Sequence, residues 1–189
     1  DISVGSVAAV AGAVIVRLLG SSYDAYQTPV IFAILMGILA GLACGSFNGL
    51  LVAKLRIQPM VATLILFTAG RGIAQLISAR EINGVLVPGQ ILYVRMESYR
   101  WIGGFLPGNV VPTPVFIALA FLIVTSLVLR RTAMGLYIKT VGINARAGRL
   151  VGINSTMVKF FCYAFSGFAA GITGLIASSR IYSSDANNI

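Results

Sequence analysis

Histidine is absent from the 189 residues, and aspartate and glutamate together number five. Without imidazole, a histidine-based catalytic site is excluded. The five carboxylates lie near chain ends or in loops, so they supply a metal site poorly and place no acid–base pair inside an apolar run. The only two cysteines, Cys44 and Cys162, sit within apolar stretches, which argues against a secreted disulfide scaffold. Charged residues reach only 10%, whereas an ordinary soluble domain carries about 25%. The chain therefore has too little charge to cover a water-facing surface. No G-x-x-x-x-G-K-S/T sequence occurs, so the chain lacks the usual phosphate-cradling loop of an ATPase. It opens on Asp1-Ile2-Ser3, and no signal peptide is visible.

Apolar sequence fills the space left by these absences. Hydrophobic residues make up 58% and the mean hydropathy is +0.93, which predicts an all-α, polytopic transmembrane bundle. Five segments qualify: Val4 to Leu19, Val30 to Val52, Ile57 to Ala79, Thr113 to Leu129 and Val158 to Ala177. The first is short for a full span and is expected to start inside a helix or at a break between half-helices, with Asp1 or Ser3 as a cap. Pro29, Pro59 and Pro114 stand at helix starts, where a missing N–H costs least.

The net charge of +9 reads as topology signalling rather than nucleic-acid binding. Alternating sides collect Lys54, Arg56, Arg130, Arg131, Lys139, Arg146, Arg149 and Lys159 on one face. Arg80, Arg95, Arg100 and Arg180 fall on the other. The richer face is expected to be cytoplasmic, with Asp24 and Tyr93 outside; Arg17 runs against this pattern.

Three patterns stand out within the segments. Gly37, Gly41, Gly45 and Gly49 recur every four residues, a spacing that keeps small residues on one drifting helix face and predicts a close helix–helix seam. Gly167, Gly171 and Gly174 repeat the theme in the fifth segment. Thr68, Arg71, Gln75 and Ser78 form a polar stripe on the third segment. Arg71 either marks a water-filled path, a partner or a conformational element, or snorkels outward on its long stem. Finally, Arg130 to Lys159 is a basic loop in which Ala145 to Leu150 is long enough for a short helix, with Gly142 and Gly152 turning the chain around it. Such a helix could rest on lipid headgroups or dock on a cytosolic partner.

Four long stretches carry a family resemblance: DISVGSVAAVAGAV at Asp1–Val14, GSFNGLLVAKLRIQPMVATLILFTAGRGIAQLI at Gly45–Ile77, TAMGLYIKTVGINARAGRLVGIN at Thr132–Asn154 and YAFSGFAAGITGLIASSRIYSSDANN at Tyr163–Asn188. In these the chain resembles the permease subunits of bacterial ABC sugar importers of the ribose, xylose and galactofuranose type, related to branched-chain amino-acid permeases. The IQPMVATLILFTAGRG stretch and the DANN ending are most like the galactofuranose members. Residues 138–144 depart from the aromatic and paired glycines common there, and Glu81 to Pro112 is longer and more charged than in near relatives. Family permeases are also longer, so the chain is expected to be a fragment of one permease domain, with a coupling loop at about residues 130–159.

The resemblance implies a multi-pass protein of the bacterial inner membrane that forms a sugar pathway and has no enzymatic activity of its own. It implies no cofactor on this chain, with ATP and Mg used by partner ABC ATPase subunits. Further partners are a second permease subunit, identical or not, a periplasmic sugar-binding protein and the lipid bilayer, with no nucleic acid. Pathway candidates are Thr68, Arg71, Gln75 and Ser78. Coupling candidates are Ala145, Arg146, Ala147, Gly148, Arg149 and Leu150. A secondary transporter or channel subunit for a small polar solute is the alternative.

Overall fold

The computed structural model describes residues 1–20, 28–82, 84–94, 96–105 and 111–185. Asp24, Arg95 and the last three residues of the DANN motif lie outside the described residues. In chain order the elements are α1 Val4–Leu19, α2 Val30–Ala53, α3 Pro59–Ile77, β1 Arg80–Ile82, β2 Val85–Val87, β3 Leu92–Tyr93, α4 Glu97–Gly103, α5 Thr113–Arg131, α6 Ala133–Ile143, α7 Ala145–Leu150, α8 Ser155–Ile181 and β4 Ser183–Ser184.

Four helices, α2, α3, α5 and α8, are long and apolar enough to cross a membrane, and the chain is a multi-pass, helical membrane protein. Their starts follow the sequence closely. Pro29 precedes α2, Pro59 opens α3, and Pro114 lies in the first turn of α5. Arg130 and Arg131 occupy the last turn of α5, where cations suit the helix dipole. The Asn154 side chain accepts from the Met157 N–H at 3.1 Å to cap α8, and Tyr182 ends it in the left-handed region at φ 56°.

The first apolar segment forms a shorter apolar helix. α1 has 16 residues, of which 11 are buried, so it lies within the bundle rather than along its lipid face. Its start is held at part depth. Asn48 Nδ2 donates to Ser3 Oγ at 3.0 Å, and Ser166 Oγ donates to Asp1 Oδ2 at 3.0 Å. Asn48 lies five residues before the end of α2 and Ser166 eleven residues after the start of α8, placing these contacts roughly 8–17 Å along the helices from that end. Asp1 Oδ1 accepts from the Ser3 backbone N–H at 3.0 Å and from Ser3 Oγ at 2.7 Å. Ser3 stands at the N-cap of α1 without a side-chain cap hydrogen bond, so neither expected cap forms; Asp1 instead holds Ser3. Asn48 is fully buried, and among the described residues its Oδ1 finds no donor.

Around α1 the packing is tight. Ser6 Oγ donates to Leu66 O on α3 at 3.3 Å. At the far end, Ile15, Val16 and Leu19 join Ala33, Leu92, Tyr99 and Leu175 in one apolar cluster. The β1–β2 hairpin pairs Arg80 with Val87, and β3 pairs antiparallel with β4, Leu92 opposite Ser184. These small sheets, absent from the all-helical expectation, close the end of the bundle opposite the basic loop. α4 is fastened there by Ser179 Oγ donating to Tyr99 O at 2.7 Å and by a 2.6 Å hydrogen bond between the Tyr99 and Ser178 hydroxyls. Burial pushes the Tyr99 phenol up to about 12, with the Ser178 bond pulling the other way.

The glycine stripe of α2 is buried along its whole length. A Cβ on Gly41 would stand 2.7 Å from Gly167 O and 2.8 Å from Gly171 Cα. On Gly45 it would stand 2.5 Å from Tyr163 O and 2.6 Å from Gly167 Cα. The stripe does not serve one neighbour alone. A Cβ on Gly37 would enter the Ile15 side chain of α1, and one on Gly174 of α8 would meet Ala8 O of the same helix. A four-residue step drifts about 40° around the helix, so Gly37 is turned about 120° from Gly49.

Gly45→Ala should therefore destabilise the fold by about 1–3 kcal/mol, because the obstructing atoms are backbone and have no rotamer to change. Gly72 has open space where its Cβ would go, so Gly72→Ala should be neutral or stabilising by up to about 1 kcal/mol. Thermal melting of the detergent-solubilised full-length protein compares the two. Equal melting temperatures would contradict a backbone-limited seam.

Candidate functional site: a polar stripe on one helix and a basic end

α3 packs on α1 through Leu66, Gly70 and Ala74, and Ala62 and Thr63 are buried as well; a Cβ at Gly70 would stand 3.0 Å from Ser6 Oγ. Its polar stripe divides in two. Thr68 and Arg71 are exposed and Gln75 is half-buried, so these three share the side turned away from α1. Ser78 is 1% exposed, and its hydroxyl donates back to Ala74 O at 2.9 Å and Gln75 O at 3.2 Å. Ser78 closes the helix end rather than facing the surface. The Thr68 hydroxyl also folds back, to Ile65 O at 3.0 Å.

Arg71 does not run toward the nearer end of α3. Its guanidinium carbon lies 4.6 Å from the centroid of the Phe67 ring, one turn toward the helix N-terminus. Helical side chains lean in that direction, and a cation over an aromatic face is attracted by the ring quadrupole. Snorkelling to the end near Ala79 would need the opposite lean.

The second region gathers at the end of the bundle where α2 stops and α8 starts. Basic residues far apart in sequence meet there. Arg56, at φ 56° in the α2–α3 turn, lines a cavity of about 340 Å³ together with Gln58, Arg149, Ser155, Thr156 and Lys159. Lys54 also lies at this end, beside Asn154 and Thr156, whereas Tyr93 pairs with Ser183 at the other. The structure thus separates the two groups of residues as the loop charges suggest.

α7 spans Ala145–Leu150, the boundaries read from the sequence. Asn144 Oδ1 accepts from the Arg146 and Ala147 backbone N–H groups at 2.9 and 3.1 Å, an N-cap that fixes the entry to so short a helix. Gly148 is buried against α6, its absent Cβ only 3.7 Å from Thr140 Cγ2 and 3.8 Å from Val141 Cγ2. Ala145 is half-buried, Arg146 and Ala147 point outward, and Leu150 is 90% exposed beside Ile143 at 88% and Val151 at 79%. Arg149 leans back, its Nε donating to Ala145 O at 3.4 Å. The six coupling candidates therefore split into a seat (Ala145, Gly148), an outward face (Arg146, Ala147, Leu150) and one residue, Arg149, that turns to the cavity.

Two features here were not legible beforehand. α6 occupies Ala133–Ile143, so Gly142 lies inside a helix instead of turning the chain; Gly152, at φ +84°, does turn it. Arg56, Gln58 and Lys159 were expected only as loop charges or not at all, and the one sequence signal for their meeting was the alternation of sides.

The chain matches a family model described as branched-chain amino acid transport system / permease component over residues 1–189. It is 40% identical over 190 residues to the galactofuranose transporter permease protein YtfT of Escherichia coli K12, covering 100% of this chain and 51% of that protein. It is 39% identical to the fructose import permease protein FruF of Bifidobacterium longum, over 96% of this chain and 48% of that protein. Against the ribose import permease protein RbsC of Haemophilus influenzae it is 33% identical, over 97% and 53%. The chain spans about half the length of the curated relatives it matches. No solved structure matches it.

Removing the α7 cap should act locally. Asn144→Ala is expected to speed hydrogen exchange at the Arg146 and Ala147 amides about fivefold, the equivalent of a cap worth about 1 kcal/mol, with little change in melting temperature. Unchanged exchange at those amides would mean that packing on α6 alone sets the helix.

Proposed function

The chain belongs to the family of branched-chain amino-acid transport system permease components, and on that premise we propose that it is part of the membrane-spanning permease of an ATP-driven sugar importer. The observation that carries the reading is α7: a compact, side-chain-capped helix seated by Gly148, offering Ala147 and Leu150 outward at the end where the basic residues collect. An element this short and this firmly seated moves as one body with the ends of α6 and α8. A separate ATPase that grips its outer face would transmit nucleotide-driven closure to the spans.

The basic end is then cytoplasmic, in the inner membrane of a bacterium. ATP and Mg are handled by the ATPase subunits, a second permease subunit completes the pathway, and a periplasmic binding protein delivers sugar at the end closed by α4 and the small sheets. Thr68, Arg71 and Gln75 face the pathway. Sugar hydroxyls that lose water need replacement hydrogen-bond partners, and this side of α3 brings neutral and cationic groups together. The names of the relatives point to galactofuranose, fructose and ribose as the sugars to test first.

Uptake into vesicles containing the full-length permease, its ATPase and its binding protein tests the assignment against those three sugars; failure to accumulate any sugar on ATP addition would overturn it. Within that assay, Ala147→Glu should abolish ATPase copurification or uncouple hydrolysis from uptake, while the binding protein still docks. Both functions unchanged would remove α7 from the coupling path. Arg71→Leu should reduce uptake at least about tenfold, the loss of a charged hydrogen bond, at normal membrane levels. Arg71→Lys should recover only part of this, because it cannot reproduce the planar fork. Full uptake by Arg71→Leu would place the pathway elsewhere.

A further inference from the structure

The basic end holds a feature that α7 docking does not use. Arg56, Arg149 and Lys159 converge on one cavity of about 340 Å³ with the hydroxyls of Ser155 and Thr156 and the amide of Gln58, and among the described residues no carboxylate lines it. The sequence explains the imbalance: residues 25–80 and 98–184, which build this end, contain no aspartate or glutamate. Three cations brought together by folding, with no carboxylate among the described residues that line the cavity, form a site for an anion.

Beside the cavity runs a groove of about 340 Å³ between α2 and α8, walled by Leu50, Ala53, Met157 and Phe160 together with Lys54, Asn154 and Thr156. It shares Ala53 and Thr156 with the basic cavity, so the polar and apolar spaces lie side by side. Leu50 and Met157 are 44% and 55% exposed on membrane-spanning helices, which puts the groove on the bilayer side. A charged pocket at the ends of the spans next to an apolar groove along them suits an amphiphile: phosphate at the helix ends, acyl chain between the helices.

We propose that this is a binding site for one anionic phospholipid of the basic-side leaflet, its phosphate held by Arg56, Arg149 and Lys159 and one acyl chain lying in the α2–α8 groove. Basic pockets between transmembrane helices suit such headgroups. A lipid here would join the α2–α3 turn to α7 and α8 through residues none of which belongs to the outward face of α7. The site rests on the chain's being a membrane protein and stands whether or not the transport reading holds.

The test uses the full-length permease in a neutral detergent, with native mass spectrometry reading retained lipid. Palmitoyl-oleoyl phosphatidylglycerol is expected to be retained about a hundredfold more tightly than phosphatidylcholine of the same chains at low salt, as three cations near a headgroup would give. The R56Q/R149Q/K159Q variant should bring the two lipids level. Lys159→Gln alone should lose about fivefold and Lys159→Arg should restore it. Leu50→Gln, outside the charged cavity, should weaken both lipids alike. Should the triple variant fail to fold, the wild-type comparison and the Lys159 pair still decide.

Equal retention of the two lipids by the wild type would overturn the site, as would undiminished selectivity in the Lys159→Gln variant. Displacement of phosphatidylglycerol by equimolar glycerol phosphate would assign the cavity to a soluble phosphate compound instead. Loss of ATPase copurification with lipid selectivity intact would assign the three cations to a protein partner, and would likewise overturn the proposal.

Discussion

Backbone meeting backbone between α2 and α8 is the contact on which the rest of the bundle depends. Gly41 and Gly45 lie so close to Gly167, Gly171 and the Tyr163 carbonyl that even one methyl group has nowhere to go. In a bilayer the hydrophobic effect does not hold helices together, since lipid tails are as apolar as leucine. Close van der Waals approach and interhelical hydrogen bonds do the work instead. Once α2 and α8 are fixed at this distance, the space left beside them takes a helix of small residues. α1 is such a helix, with Ala8, Ala9, Ala11, Gly12 and Ala13 buried along it.

The depth at which α1 begins follows from polar chemistry. Ser3, Asn48, Ser166 and Asp1 link three helices where unpaired polar groups are costly. Each hydroxyl or amide that bridges two helices sets their relative height as well as their distance. From that starting level, sixteen helical residues bring Leu19 to the far end. There Leu92, Tyr99 and Leu175 complete the cluster and α4 is tied to α8. The small antiparallel sheets complete the same layer, joining the segment after α3 to the segment after α8.

Function divides along the same axis. The far end is built of loops, short strands and α4, fastened by serine and tyrosine hydroxyls. The near end carries α7, seated on α6 by Gly148 with Arg146, Ala147 and Leu150 turned outward, and a cation-lined cavity bounded by the α2–α3 turn, α7 and α8. On the proposed readings, two kinds of surface stand side by side: one for a soluble subunit, the other for an anionic amphiphile. Between these ends the exposed side of α3 presents Thr68, Arg71 and Gln75, with the guanidinium over the Phe67 ring.

Much of this could be read from the residues in order. Run lengths, prolines at helix starts, the four-residue glycine repeat, the limits of α7 and the split of basic loops are local or periodic properties, and the fold follows them closely. The long family match rests on the same linear information. Tertiary packing decided the rest. Periodicity shows that Gly37 and Gly45 share a stripe, but the drift of that stripe meets α1 at one level and α8 at another. The spacing of Thr68, Arg71, Gln75 and Ser78 is uniform, yet burial turns Ser78 into a helix end and leaves Thr68 and Arg71 exposed. Arg56 and Lys159 are separated by more than a hundred residues and meet because α2 and α8 are pressed together along their glycines. A side chain's helical face is a property of its neighbours in sequence; what that face touches is set by the closest packing the whole bundle can reach.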